Sequence, residues 1–169
     1  MALEAIFIGK IFLAGFLGAI VGIERDISGR PAGIRTNLII SVSSCLFTIL
    51  SSEAFDSHAQ GYDPTRIASQ IVTGVGFLGA GALLIQRDRV IGLTTAATIW
   101  LVAAIGMAVG VGMYGLATFV TFFTVVALIG LAPLSHHLTR YGTSIRALGD
   151  DELPRKRHKA HHRLKKWPH

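Results

Sequence analysis

The stretch Thr73–Gly81, TGVGFLGAG, contains Gly74-x-Gly76-x-x-Gly79, the spacing of a dinucleotide-binding loop. Such a loop needs a strand before it, a helix after it and an acid about 20 residues further on. At that distance the sequence reads AATIW, Ala96–Trp100, with no carboxylate. A nucleotide-binding sheet would also leave the long apolar runs on both sides of the motif unexplained. Small residues have another use, because lipid supplies no hydrophobic drive for helix association and close backbone approach must do that work. Read as a membrane helix, the segment has Ser69, Thr73, Gly76 and Ala80 on one face, with Gln70, Gly74 and Gly81 beside it. The glycines therefore read as packing positions, and a helix so stripped of side chains is expected to sit centrally.

The runs around it support this. From Val90 to Thr139 no Asp, Glu, Lys or Arg occurs in fifty residues. As one helix that run would be roughly 75 Å long, against a hydrocarbon core of ~30 Å. It must fold back, and GVGMYG, Gly110–Gly115, is the natural turn. Glu4–Ile23, Thr36–Ser52 and Ile67–Gln86 supply three more membrane-length segments, the first with Lys10 as its interior charge. With the long run split near Gly112, the expected fold is all-α: a polytopic bundle of five transmembrane helices over residues 1–134. A basic, His-rich tail over 135–169 follows. The first segment lacks a basic leader and a small-x-small cleavage site, so it reads as a span and not a removable signal. Cys45 is the one cysteine and admits no intrachain disulfide.

Charge fixes the expected orientation. Arg25, Arg30 and Arg35 follow the first span, and Arg87 and Arg89 follow the third. The remaining large group, from Arg140 to Lys166, follows the fifth, so fourteen of the sixteen basic residues fall in alternate segments. The other side offers Arg66 in a loop with Glu53, Asp56 and Asp63. By the positive-inside rule the N-terminus is outside and the tail is cytoplasmic.

Polar residues within the spans form two groups. Asn37, Ser41, Ser44, Thr48 and Ser51 recur at helical spacing as one stripe on the second span. Their hydroxyls either bond back to helix carbonyls and neighbouring helices or line a water path. No acid lies deep in a span, since Glu4, Glu24 and Glu53 all sit at ends, which argues against a cation pore in one copy. The second group gathers at the expected cytoplasmic mouth: Glu24, Arg25, Arg35, Thr36, Asn37, Thr94 and Thr95. Gly15, Gly18 and Gly22 form a packing face on the first span that continues to Arg25. Whether Glu24 and Arg25 cap the interface or form a polar cluster between helix ends is left open by the sequence, as is whether Lys10 snorkels outward or meets a partner. The connection DISGRPAGIR reads as a shaped turn. His158, His161 and His162 are joined by no acid or cysteine, so no metal site is expected. The tail reads as an arm for anionic lipid, and its basic charge is at the wrong place for nucleic acid.

Three ordered blocks, GAIVGIERDISGRPAGIRTN, RIASQIVTGVGFLGAGALLI and GLTTAATIWLVAAIGMAVGVGMYG, resemble the membrane domain of the MgtC/SapB family of bacterial inner-membrane proteins. The resemblance covers roughly Leu13–Leu131. Its motif positions fall on Gly22, Glu24, Arg25, Gly33, Arg35, Thr36, Gln70, Gly74, Gly76, Gly79, Gly81, Gly92, Thr94 and Thr95. It implies a multi-pass protein of the bacterial inner membrane linked to magnesium limitation, stress and virulence. It further implies a protein without enzymatic activity or cofactor, acting by contact with another membrane complex such as the ATP synthase. The alternative it carries is an oligomeric transporter or channel for Mg²⁺ or another small solute. Several members carry a folded cytoplasmic domain, where this sequence has a short tail.

Overall fold

The computed structural model describes residues 2–53, 65–86 and 89–150. The acidic loop holding Asp56 and Asp63, and the basic tail from Asp151 with its histidines, lie outside the described residues. Five helices follow in order: α1 Ala2–Ile27, α2 Ile34–Glu53, α3 Thr65–Gly81, α4 Leu93–Gly110 and α5 Tyr114–Asp150. Between α3 and α4 stands a two-stranded antiparallel hairpin, β1 Leu84–Gln86 and β2 Arg89–Ile91, paired Leu84 to Ile91 and Gln86 to Arg89. The chain divides into two units, Met1–Gly130 and Leu131–His169; the described part of the second is helical to Asp150.

Among the described residues four helices are long and apolar enough to cross a membrane: Leu3–Ile27, Ile34–Ser52, Leu93–Gly110 and Tyr114–Pro133. The expected third segment, Ile67–Gln86, is not helical throughout. Helix α3 has 17 residues, or about 25 Å of rise, and stops at Gly81. The following Leu84–Gln86 segment is strand, not helix. Glycines at 79 and 81 weaken the helix end, and the Ile85, Val90 and Ile91 side chains favour extended backbone. The all-α expectation is corrected to that extent.

Polarity is inverted relative to a water-soluble domain. Phe77 is 80% and Phe12 75% exposed, and Phe16, Phe119, Phe123 and Val126 also face outward. By contrast Asn37 and Ser41 are fully buried, and Ser44, Thr48 and Ser51 nearly so. Such a surface suits hydrocarbon as the solvent, with polar groups satisfied inside.

Helix α2 is the centre of the first unit. It runs antiparallel to α1 and parallel to α4, and glycines on both neighbours bring the backbones together. A Cβ on Gly18 would stand 2.7 Å from both Asn37 O and Ser41 Cβ, and one on Gly22 would overlap Ile34 Cα. One on Gly15 would press within 3.1 Å of Val42. From the other side, Gly106 abuts Ser41 O and Gly110 abuts Thr48 Cβ, where a Cβ would come within 2.7 Å. Around these contacts Ala14, Leu17, Val21, Cys45, Val102, Ile105 and Val109 complete the core.

The expected central position of α3 is overturned within the chain. Among its described side chains, Ile71, Val75 and Gly79 are the buried ones, at i, i+4 and i+8. The expected packing face of Ser69, Thr73, Gly76 and Ala80 is exposed, as is Gln70. Gly74, Gly76 and Gly81 have nothing within 4 Å of where a Cβ would stand, and Gly79 makes ordinary contact with Ala96. Missing side chains permit a neighbour, but they do not require one; the apolar Ile71–Val75 face decides which side packs.

Candidate functional site

The connection between α1 and α2 is held by its own side chains. Asp26 Oδ2 accepts a hydrogen bond from Ile34 N at 2.9 Å, capping the start of α2, and Gly33 leaves the space its carboxylate needs. Asn37 Nδ2 donates to Ala32 O and, at 3.1 Å, to Gly33 O. Ala32 itself has φ 59, in the left-handed region. The segment is therefore a shaped turn, stabilised from both helices.

Behind that turn lies a buried polar cluster. Glu24, Arg25, Asn37 and Thr95 are all buried. Ser28 Oγ donates to Glu24 Oε1 at 2.6 Å, and Arg25 Nη1 stands 3.5 Å from Glu24 Oε2. That ionic contact offsets two charges whose removal from water is costly, but it is too long and too poorly directed to satisfy both groups. Thr95 belongs to the same level by register. Lys10 of α1 meets Gly110 of α4, and the same number of residues back along α4 as separates Lys10 from Glu24 reaches Ala96. Arg35, Thr36 and Thr94 are exposed at this end. The expected mouth thus separates into an inner set, Glu24, Arg25, Asn37 and Thr95, and an outer set, Arg35, Thr36 and Thr94.

The stripe on α2 does not line a lumen within one copy. Thr48 Oγ1 donates back to Ser44 O at 2.7 Å, and Ser41 and Thr48 lie against glycines of α4. Thr98, Thr121 and Thr124 likewise bond to carbonyls four residues earlier. Ser43, Ser44 and Gln70 face a groove of about 430 Å³ between α2 and α3, otherwise lined by apolar residues including Ile39, Phe47 and Ile71 together with Gly74. At the opposite end Lys10 Nζ donates to Gly110 O at 2.8 Å and lies 5.8 Å from the Phe7 ring. It therefore has a protein partner. Among the described residues no three His, Cys, Asp or Glu side chains come together.

Gly106 and Gly110 were not foreseen, although Gly106-Met-Ala-Val-Gly110 shows the small-xxx-small spacing of close helix contacts. Asp26 was also missed as a cap; its position eight residues before Ile34 becomes informative only once the turn is formed.

These features define a class: a multi-pass helical membrane protein whose central helix carries a buried polar stripe, with Glu24 and Arg25 buried near one end of it. The chain belongs to the MgtC family, whose model matches residues 11–137. It is 44% identical over 130 residues to YhiD of Escherichia coli (strain K12), which bears the provisional name of magnesium transporter; the match covers 75% of this chain and 60% of that protein. It is 43% identical over 110 residues to SapB of Bacillus subtilis (strain 168), covering 62% and 47%. It is 41% identical over 124 residues to MgtC of Brucella abortus (strain 2308), covering 72% and 50%. The chain thus spans about half to three fifths of the length of these relatives. No solved structure matches it. The membership and the four apolar helices make it a multi-pass protein of the bacterial inner membrane.

Proposed function

We propose that this protein is a non-enzymatic component of magnesium homeostasis and stress or virulence adaptation that works by contact with another membrane complex, such as the ATP synthase. In this reading α3 is the fifth crossing, the N-terminus is outside, and the Arg25 end and tail face the cytoplasm. The observation that carries it is the packing of Asn37, Ser41 and Thr48 of the α2 stripe against glycines of α1 and α4, which speaks against a conduction path along α2 within one copy. The exposed Arg35, Thr36 and Thr94 beside a rigid, capped turn supply a surface for a partner.

The second reading is an oligomeric transporter for Mg²⁺ or another small solute. The provisional name of YhiD favours it, and so does the uncovered glycine face of α3 with Gln70 beside the α2–α3 groove. Reconstitution separates the two. Under the contact reading, liposomes holding the purified chain conduct no Mg²⁺, and a photo-crosslinker at Arg35 captures a membrane complex in cells. Mg²⁺ flux that Gln70→Leu abolishes would overturn the contact reading and establish transport.

A further inference from the structure

Four buried side-chain atoms, three toward the Arg25 end and the fourth one turn deeper along α2, have no hydrogen-bond partner among the described residues: Glu24 Oε2, Arg25 Nε, Asn37 Oδ1 and Ser41 Oγ. Their residues are at most 6% exposed. A buried polar atom without a partner is costly, the more so when its group is charged, so these atoms on the facing sides of two packed helices mark a place that binds something. The helix directions turn Arg25 and Asn37 toward each other. Side chains lean toward the N-terminus of their own helix, so Arg25 leans inward along α1. Asn37 leans outward along α2, as its bonds to Ala32 O and Gly33 O record.

The chemistry of these atoms selects the guest. Glu24 Oε2 and Asn37 Oδ1 accept, Arg25 Nε donates, and the Ser41 hydroxyl does either. A metal cation would satisfy the oxygens, yet it would leave Nε unpaired and meet a guanidinium that already stands 3.5 Å from the carboxylate. An anion would meet that carboxylate. Carboxylate and guanidinium sum to no net charge, which suits a neutral molecule that donates and accepts equally. The α1 and α2 backbones close together at Gly18, where a Cβ would stand 2.7 Å from Asn37 O and Ser41 Cβ, so the guest is small and lies on the Glu24 side of that contact. We infer that ordered water is a built-in part of this end, held by Glu24 and Arg25 of α1 and by Asn37 of α2, with Ser41 one turn deeper as its inner limit. Hydration ends beyond Ser41, because Thr48 already bonds to Ser44 O and Cys45 between them is fully buried. The polar stripe is therefore wet at one end and dry over the rest. This inference does not depend on which partner or solute the protein serves.

Water-edited solid-state NMR of the full chain in lipid bilayers tests it. Magnetisation from water is expected to reach the Asn37 and Ser41 side chains severalfold faster than Cys45 and Thr48. Ser41→Ala is expected to slow the transfer to Asn37, and Thr48→Val to leave it unchanged. Equal build-up at all four residues in the wild-type chain overturns the inference, whatever the variants do. Selective broadening of Asn37 and Ser41 by dilute Mn²⁺ also overturns it, by showing a cation in place of water.

Discussion

Lys10 Nζ donates a hydrogen bond to Gly110 O across 2.8 Å, joining the first helix to the C-terminus of the fourth. Terminal helix carbonyls lack partners of their own and carry partial negative charge, so an ammonium is well matched to this position. Lys10→Met keeps the apolar stem and removes the donor. A charge-assisted bond of this kind is worth ~1.5–3 kcal/mol. The expected result is a lower unfolding temperature in detergent, with Lys10→Arg recovering part of the loss. Unchanged stability in Lys10→Met would mean that the contact contributes nothing.

The glycines fall into two classes that substitution distinguishes. Gly106→Leu drives a side chain into the Ser41 carbonyl, and Gly18→Leu does the same to Asn37 O and Ser41 Cβ. Overpacking of side chains costs ~1–3 kcal/mol, and collision with backbone sits at or above the upper end. Gly76→Leu faces open space and should leave the fold of one copy intact. Yield and thermal stability of the three variants in detergent check this. Should Gly76→Leu alter the assembled mass while preserving the stability of the single chain, its open face is a contact between copies.

Glu24 and Arg25 offer a test of coupling. Removing one member of a buried ion pair leaves the other charge uncompensated, at ~3–5 kcal/mol. Glu24→Gln and Arg25→Met should each destabilise the protein, and the double variant should lose less than the two singles combined. Additive losses measured by thermal unfolding would show that the 3.5 Å contact carries no coupling.

The lipid-spanning character of α1, α2, α4 and α5 is legible in the sequence, because span length and absence of charge are set by the bilayer itself. The burial of Asn37, Ser41, Thr48 and Ser51 is legible for a related reason: a polar stripe on a lipid-immersed helix must turn inward. The role of α3 is not. Gly74 and Gly76 say that a neighbour can approach, and only the packing of Ile71 and Val75 says from which side. Gly106 and Gly110 are hidden by their surroundings, since a glycine in a uniformly apolar run creates no contrast in polarity. The division of the mouth into buried Glu24 and exposed Arg35 depends on where the turn folds, which the hydrogen bonds of Asp26 and Asn37 determine.

Gly92 links the hairpin to α4 with φ 97, and a Cβ there would collide with Ala82 O. Gly112, between α4 and α5, has φ 89, yet its nearest neighbour would be Tyr114 Oη at 3.9 Å. Both positions lie in a backbone region that costs an L-residue ~1–2 kcal/mol, but Gly92 adds a steric clash with backbone that cannot move cheaply. Alanine at 112 should therefore lower thermal stability modestly, and asparagine, which tolerates the left-handed region, should lower it less. Alanine at 92 should be clearly worse than alanine at 112, since the hairpin must shift away from the start of α4 to admit the methyl group. Equal losses at the two sites would show that the hairpin yields freely, and the close approach of Ala82 to Gly92 would then have no part in fixing the start of α4.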